Sequence, residues 1–435
     1  MHKYKYVPFI ILLVVACMGA FLNYNYSHVK GEPASAADIA WMLTATGLVL
    51  LMTPGLSYFY GGMVSSKNII STMLQSVIAM SVISLMWVVV GFSLAFGDSI
   101  GGVIGNPLTY FMFRGVDGDT HPLLSPTVPL LLFAMFQLKF AIITPALITG
   151  SFAERVRFSS YILFMILFAI FIYSPLAHWT WHPDGFLRKM GVLDFAGGTV
   201  VHMSAGFAAL AGAILLGRRR SHIKKEKHTP SNIPYVILGT GLLWFGWFGF
   251  NAGSALGANS LAVLAFATTN TASASAALAW IFFDVLLGRK PSASGASIGA
   301  VVGLVAITPA AGFVSVGASI FIGAIASIVS NLAVTWKSRS TLDDTLDVFP
   351  CHGLGGIVGM IMTGIFANEV GLIYGQTQIF FIHIVGLVIV SVFTFGGSFL
   401  LYKLTDFLIS LRVTKEQEDI GLDLSQHDES VQQRF

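Results

Sequence analysis

The chain is 435 residues long, 55% hydrophobic and only 10% charged, with a formal net charge of +3. A water-soluble domain carries roughly a quarter charged residues, so most of this surface is built for lipid, and so small a charge spread over short loops excludes a nucleic-acid partner. Two cysteines, Cys17 and Cys351, exclude a disulfide framework and lack metal-ligand spacing, so no cofactor is expected.

Residues 1–36 read as a leader. Lys3 and Lys5 precede an apolar stretch at 7–22, and Ala34-Ser35-Ala36 offers a small-residue cleavage site well beyond it. That pattern fits a secretory signal or a short, uncleaved extra helix. Val14-Val15-Ala16-Cys17 also looks like a lipoprotein processing box, a kind of string common by chance. A bilayer-spanning helix needs about 20 apolar residues. Such stretches run 38–60, 70–97, 126–150, 158–176, 196–217, 233–255, 260–287, 293–312, 315–336, 352–367 and 378–405. Eleven spans thus fill a transmembrane domain from 37 to 408, and a polar tail occupies 409–435.

Positive charge accumulates in cytoplasmic loops. One alternating set of connections holds Lys67, Arg155, Arg157, the run Arg218-Arg219-Arg220 with Lys224, Lys225 and Lys227, then Arg289, Lys290, Lys337 and Arg339. The opposite set holds only Arg114, Arg188 and Lys189. The expected orientation in an inner cell membrane has the mature N-terminus outside and the tail in the cytoplasm.

The chain also repeats itself. Phe59-Tyr60-Gly61-Gly62 with Asn68 matches Phe250-Asn251-Ala252-Gly253 with Asn259, and His202 to Phe207 matches His352 to Ile357. These pairs fall in spans 1 and 6, and in spans 5 and 10. Five spans is an odd number, so the units must be upside down relative to each other, unless Gly-rich helices merely look alike. The expected fold is an all-α membrane protein: eleven transmembrane helices built as two inverted five-helix repeats plus a final helix.

Ionisable groups inside spans are costly and need a reason. His202 lies eight residues beyond Asp194, about 12 Å down a helix and near the midplane. His352 enters span 10 from the other side, five residues after Asp347. Inverted symmetry brings the two imidazoles face to face. Each neutral ring has one donor and one acceptor nitrogen, so the pair can share a proton and still contact a small polar guest. A full cation there would lose its hydration, which favours a guest able to give up a proton. A lone histidine would be read as structural.

Phe136 and Phe140 share one face of span 3, and Trp247, Phe250 and Ser254 share one face of span 6. Both sets fall toward the outer half, with Trp181 in the loop before span 5. Aromatic faces attract cations. From spacing alone, ordinary packing and an interfacial belt account for them better.

Long motifs carry a resemblance. Asp194-Phe195-Ala196-Gly197-Gly198-Thr199-Val200-Val201-His202 looks like the fifth-span signature of the Amt/Mep/Rh ammonium transporters, of bacterial Amt type. Trp247 to Ser254, Asp347 to Gly353 and Gly150 to Arg155 resemble that family's other motifs, and the likeness runs from about 38 to 428. It implies a homotrimer, not an enzyme, with a conduction path in each subunit for ammonium or ammonia and for methylammonium as analogue. By motif match His202 and His352 correspond to the pore pair, and Phe140 and Phe250 to a stacked phenyl gate. Phe136, Trp181 and Ser254, grouped here with Trp247, correspond to an outer recruitment site that Asp194 supports, whether or not Asp194 also caps span 5. The tail around Glu416 to Asp423 resembles a regulatory tail answering to PII-type signal proteins, although it also reads as a solvated end.

Lys139, beside Phe140, and Pro350-Cys351, before the second histidine, depart from the pattern. Asp38, Asp284 and His383 read as structural or interfacial. An ammonium receptor that barely conducts is the alternative of a different class. A hydrolase is disfavoured, because it needs a nucleophile–base constellation at a hydrated site, the isolated Asp residues form no evident dyad, and no His-Glu-x-x-His motif occurs.

Overall fold

The computed structural model describes residues 6–22, 33–226 and 228–431. Lys3, Lys5, Lys227 and the last four residues of the tail lie outside the described residues. A 15-residue apolar helix, α1 (Val7–Phe21), precedes α2 (Ala36–Met63) and α3 (Ile69–Phe96). Next come α4 (Leu130–Phe152), α5 (158–181), α6 (Gly198–Leu216), α7 (Ile233–Ala252), α8 (Ser260–Leu286) and α9 (Ala293–Ile307). Then follow α10 (Val316–Ser338), α11 (Phe349–Phe366), α12 (Gln378–Leu408) and two short tail helices, α13 (Lys415–Ile420) and α14 (Leu422–His427).

Many helices begin where a short polar side chain accepts an orphan N–H of the first turn. Ser35, Asn232, Asn259, Ser292 and Ser315 do this for α2, α7, α8, α9 and α10. Two expectations shift. Among the described residues ten helices, not eleven, are long and apolar enough to cross a membrane. The stretch at 293–312 forms only the 15-residue α9, because Thr308-Pro309 ends the helix and the chain runs on in turns. Proline offers no N–H to continue the ladder. Span 3 also starts late, at Leu130, because Ser125–Pro129 pairs as a strand with Thr120–His121. A second short pair, Ser99–Ile100 with Ile104–Gly105, sits in the same connection.

Among the described residues five helices contain a π turn: Trp87–Gly91, Ala169–Tyr173, Gly198–Met203, Phe248–Ala252 and Phe349–Gly353. A π turn inserts a residue and re-aims the side chains around it, often at functional positions. His202, Phe250 and His352 each sit in one. α4 is enclosed along nearly its whole length and forms one wall of the space between α6, α7 and α11. Glycine lets α6 and α11 touch there: a Cβ on Gly206 would collide with the Gly353 backbone, and one on Gly356 would press on the Gly198 carbonyl.

Candidate functional site

His202 and His352 are both buried, with their Nδ1 atoms 3.4 Å apart and ring centroids at 5.5 Å. The Thr308 hydroxyl decides which nitrogen carries a proton. It donates to Leu304 O at 2.7 Å and accepts from Trp247 Nε1–H at 2.9 Å. Its proton is committed, so toward His202 Nε2, 3.3 Å away, it can only accept. His202 therefore bears its proton on Nε2 and presents a bare Nδ1. His352 must donate from Nδ1 to meet it, which leaves His352 Nε2 as an acceptor. The pair is a polarised two-ring wire.

Around the rings the walls are apolar: Met52, Leu56, Ile143, Leu147, Leu243 and Val301. The chamber leaves about 10 Å³ for the centre of a water-sized molecule, at the lower edge of what one water needs. That volume admits no more than a single small molecule. Phe250 closes the chamber on one side, with its ring 6.0 Å from His202 and tilted by 33° against Phe140 at 4.2 Å.

Beyond the two phenyl rings opens a vestibule of about 460 Å³, lined by Phe140, Gln137, Trp181, Asp194 and Ser254. The Trp181 ring stands 5.7 Å from Phe140, and its Nε1–H donates to Asp194 O at 3.3 Å. The Asp194 carboxylate faces inward, accepting from Gly197, Gly198 and Thr199 N–H at 2.6–2.8 Å. It caps α6 and so holds His202 at a fixed depth.

The same cap recurs at the other histidine. Asp344, eight positions before His352 as Asp194 is before His202, accepts from Val348 and Phe349 N–H at 3.1 and 2.7 Å. These amides stand four and three positions before the histidine, as Gly198 and Thr199 do. Asp347, taken from sequence as the reference for His352, instead sits at φ 58° and pairs with Lys337 at 2.6 Å.

Beside this cap lies a buried ion network. Arg219 bridges Glu154 and Asp343, both at 2.9 Å. Burial by itself would raise both carboxyls, but the guanidinium holds them below the usual carboxylate range. The tail docks on this network. Glu418 accepts from Arg220 N–H at 2.6 Å and from Arg412 at 2.8 Å, and Asp423 accepts from Ile70 and Ser71 N–H at the start of α3.

These features match a known family. Residues 40–432 fit the family model described as Ammonium Transporter Family. The chain is 48% identical over 414 residues to an ammonium transporter of Aquifex aeolicus, covering 94% of this chain and 96% of the relative. It is 44% identical to an ammonium transporter of Bacillus subtilis, covering 91% and 98%. The chain belongs to the ammonium transporter family. It is a multi-pass membrane transporter, not an enzyme. Among solved structures it resembles Candida albicans Mep2, with a TM-score of 0.84, 33% identity and coverage of 91% and 89%. It also resembles a structure titled Sensor Amt Protein, at 0.82, 31%, 90% and 98%.

Of the residues singled out from the sequence, the transporter brings Phe140, Trp181, Ser254 and Asp194 together at the vestibule, and His202, His352 and Phe250 at the chamber. Trp181 closes helix α5 rather than standing in a loop. Phe136 lies behind Phe140, edge-on at 5.0 Å, and does not line the vestibule. Trp247 is displaced from its predicted group: it lines the histidine chamber, 5.4 Å from the His202 ring. The π turn at Phe248–Ala252 breaks the regular spacing that put Trp247 on the Ser254 face. Lys139 is 8% exposed, and among the described residues no carboxylate pairs with it. Thr308 and Asp344 escaped the sequence reading. A polar residue just before a proline in an apolar stretch was the signal for Thr308, and spacing equal to that of Asp194 and His202 was the signal for Asp344.

Proposed function

We propose that this ammonium transporter recruits ammonium in its vestibule, strips one proton at the phenyl pair, and passes ammonia along His202 and His352. Trp181 and Phe140 offer ring faces to a cation, and Ser254 an acceptor hydroxyl. The balance is one ammonium giving one ammonia and one proton, the latter leaving by a separate route. The observation that carries the reading is the Nδ1–Nδ1 approach of 3.4 Å inside a closed apolar chamber sized for one small molecule. A full cation would forfeit its hydration there at a cost of several kcal/mol, whereas neutral ammonia bears no such ionic desolvation cost. The test compares methylammonium uptake by wild type and His202→Ala in cells lacking other carriers. Unchanged uptake in the variant removes the histidines from the mechanism. Ammonium-evoked currents in proteoliposomes report on the proton's route, and uptake without charge movement refutes a coupled proton.

The architecture that goes with this reading has eleven spans, two inverted five-helix repeats plus a final helix, with α9 as a short eighth span. The matched caps at Asp194 and Asp344, the matched π turns and the reciprocal contacts of Gly206 and Gly356 support it. The vestibule faces outward, as does the mature N-terminus that follows the 1–36 leader. The tail is cytoplasmic and regulatory, which the charge asymmetry and the docked tail support; three copies assemble and a PII-type protein acts on the tail face, as the resemblance to the family implies. A second reading, an ammonium receptor that scarcely conducts, draws on the closed phenyl pair and on the likeness to the structure titled Sensor Amt Protein. Tight binding without uptake would favour it.

A further inference from the structure

We propose that His383 is a positioning residue for the vestibule, holding the wall segment 192–195 in place from the last helix. The proposal rests on the reading of that vestibule as the ammonium-recruiting mouth.

The His383 ring is fully buried on α12. A carbonyl oxygen only accepts, so Nδ1, 2.8 Å from Met360 O, carries the proton and donates it. Nε2 is then an acceptor, and it takes the Leu193 N–H at 3.0 Å. A neutral imidazole has one donor and one acceptor, and both are spent. The ring has nothing left to offer a ligand, so its effect is mechanical.

What it grips is the irregular stretch between the short helix Phe186–Met190 and α6. Leu193, Asp194 and Phe195 all line the vestibule. The neighbouring anchors are backbone bonds, Val192 N–H to Leu187 O at 3.0 Å and Phe195 N–H to Pro309 O at 3.1 Å. Between them, the Leu193 N–H points into the protein and would have no acceptor without the imidazole. The residue after it does two jobs at once, since Asp194 O receives the Trp181 indole and its carboxylate caps the helix bearing His202. At the other end of the ring, Met360 belongs to α11, the helix bearing His352. One rigid five-membered ring therefore ties the vestibule wall to the second pore helix.

The experiment measures methylammonium uptake against concentration in proteoliposomes of the full chain. His383→Leu supplies an apolar side chain of similar bulk and removes both hydrogen bonds. The expected result is a rise of about five-fold or more in the half-saturating concentration, the scale set by one lost hydrogen bond to a buried amide, with maximal rate within about two-fold. His383→Gln, whose amide both donates and accepts, restores most of the affinity. Leu193→Pro deletes the same bond from the backbone side and must reproduce the shift, and the double variant must add nothing to it. Should His383→Leu not accumulate in the membrane, Leu193→Pro decides alone. An unmoved half-saturating concentration, additive shifts, or equal losses in maximal rate for the Leu and Gln variants overturns the proposal. Trp181→Leu separates the two readings. If it raises the half-saturating concentration while His383→Leu does not, only the positioning role fails. If it has no effect, the recruiting vestibule fails as well.

Discussion

Thr308→Val tests the tautomer assignment at the histidine pair. Valine keeps the shape of threonine and replaces the hydroxyl that accepts from Trp247 Nε1–H at 2.9 Å and from His202 Nε2–H at 3.3 Å. Two buried ring N–H groups then lack an acceptor, each costing about 1–3 kcal/mol, with the longer contact at the low end. The sum, about 2–4 kcal/mol, should appear as a lower unfolding temperature in detergent. The effect on transport has a separate origin. Without Thr308 to receive it, the His202 proton can sit on Nδ1, where it would oppose the Nδ1–H of His352 across 3.4 Å. A tautomer bias of about 1–1.4 kcal/mol is a factor of roughly five to ten in population. Maximal methylammonium uptake in proteoliposomes should fall by about that factor, with little change in half-saturating concentration. Thr308→Ser retains the hydroxyl and should transport like wild type. Wild-type rates in the valine variant, or an equal loss in the serine variant, would refute the assignment.

Three further perturbations follow from burial and charge. Arg219→Met strands Glu154 and Asp343 without their cation, which should destabilise the protein by about 3–5 kcal/mol and expose the 412–427 segment to protease; unchanged cleavage would contradict the network's role in docking the tail. Burial, reinforced by Asp347 and opposed by Lys337 and the Phe349 and Val348 N–H groups, raises the Asp344 carboxyl from 3.8 to about 6. A raised folded-state value favours the folded protein at low pH and loses that contribution as pH rises through about 6. Hence the unfolding free energy of wild type minus that of Asp344→Asn should be larger at pH 5 than at pH 7.5, by an amount of order 1–3 kcal/mol, and a flat difference would refute the burial argument. Lys139→Met removes a mid-helix charge that finds no carboxylate among the described residues. It should raise stability by about 2–3 kcal/mol, and a fall in unfolding temperature would show that the ammonium group is compensated after all.

Much of the bundle is legible in the chain because hydropathy is a local property. Eleven apolar runs stand out, and they coincide within a few residues with ten long helices and the short α9, whose end at Thr308-Pro309 is itself written in the proline. Histidine is costly in lipid, so His202 and His352 announce themselves, and the repeat between them announces that they meet. Three-dimensional packing decided the rest. Which face a side chain occupies depends on backbone register, and the π turns at Gly198–Met203, Phe248–Ala252 and Phe349–Gly353 shift that register without any composition to mark them. That is why Trp247 moved from the vestibule to the chamber. Hydrogen-bond partners distant in sequence, such as Thr308 to His202, His383 to Leu193 and Asp423 to the start of α3, follow from how helices cross, and helix crossing is set by contacts such as Gly206 on Gly353 that no single segment contains. The apolar pattern determined that these helices form and where the polar exceptions lie; only their mutual packing determined which nitrogen, hydroxyl and carboxylate each exception would meet.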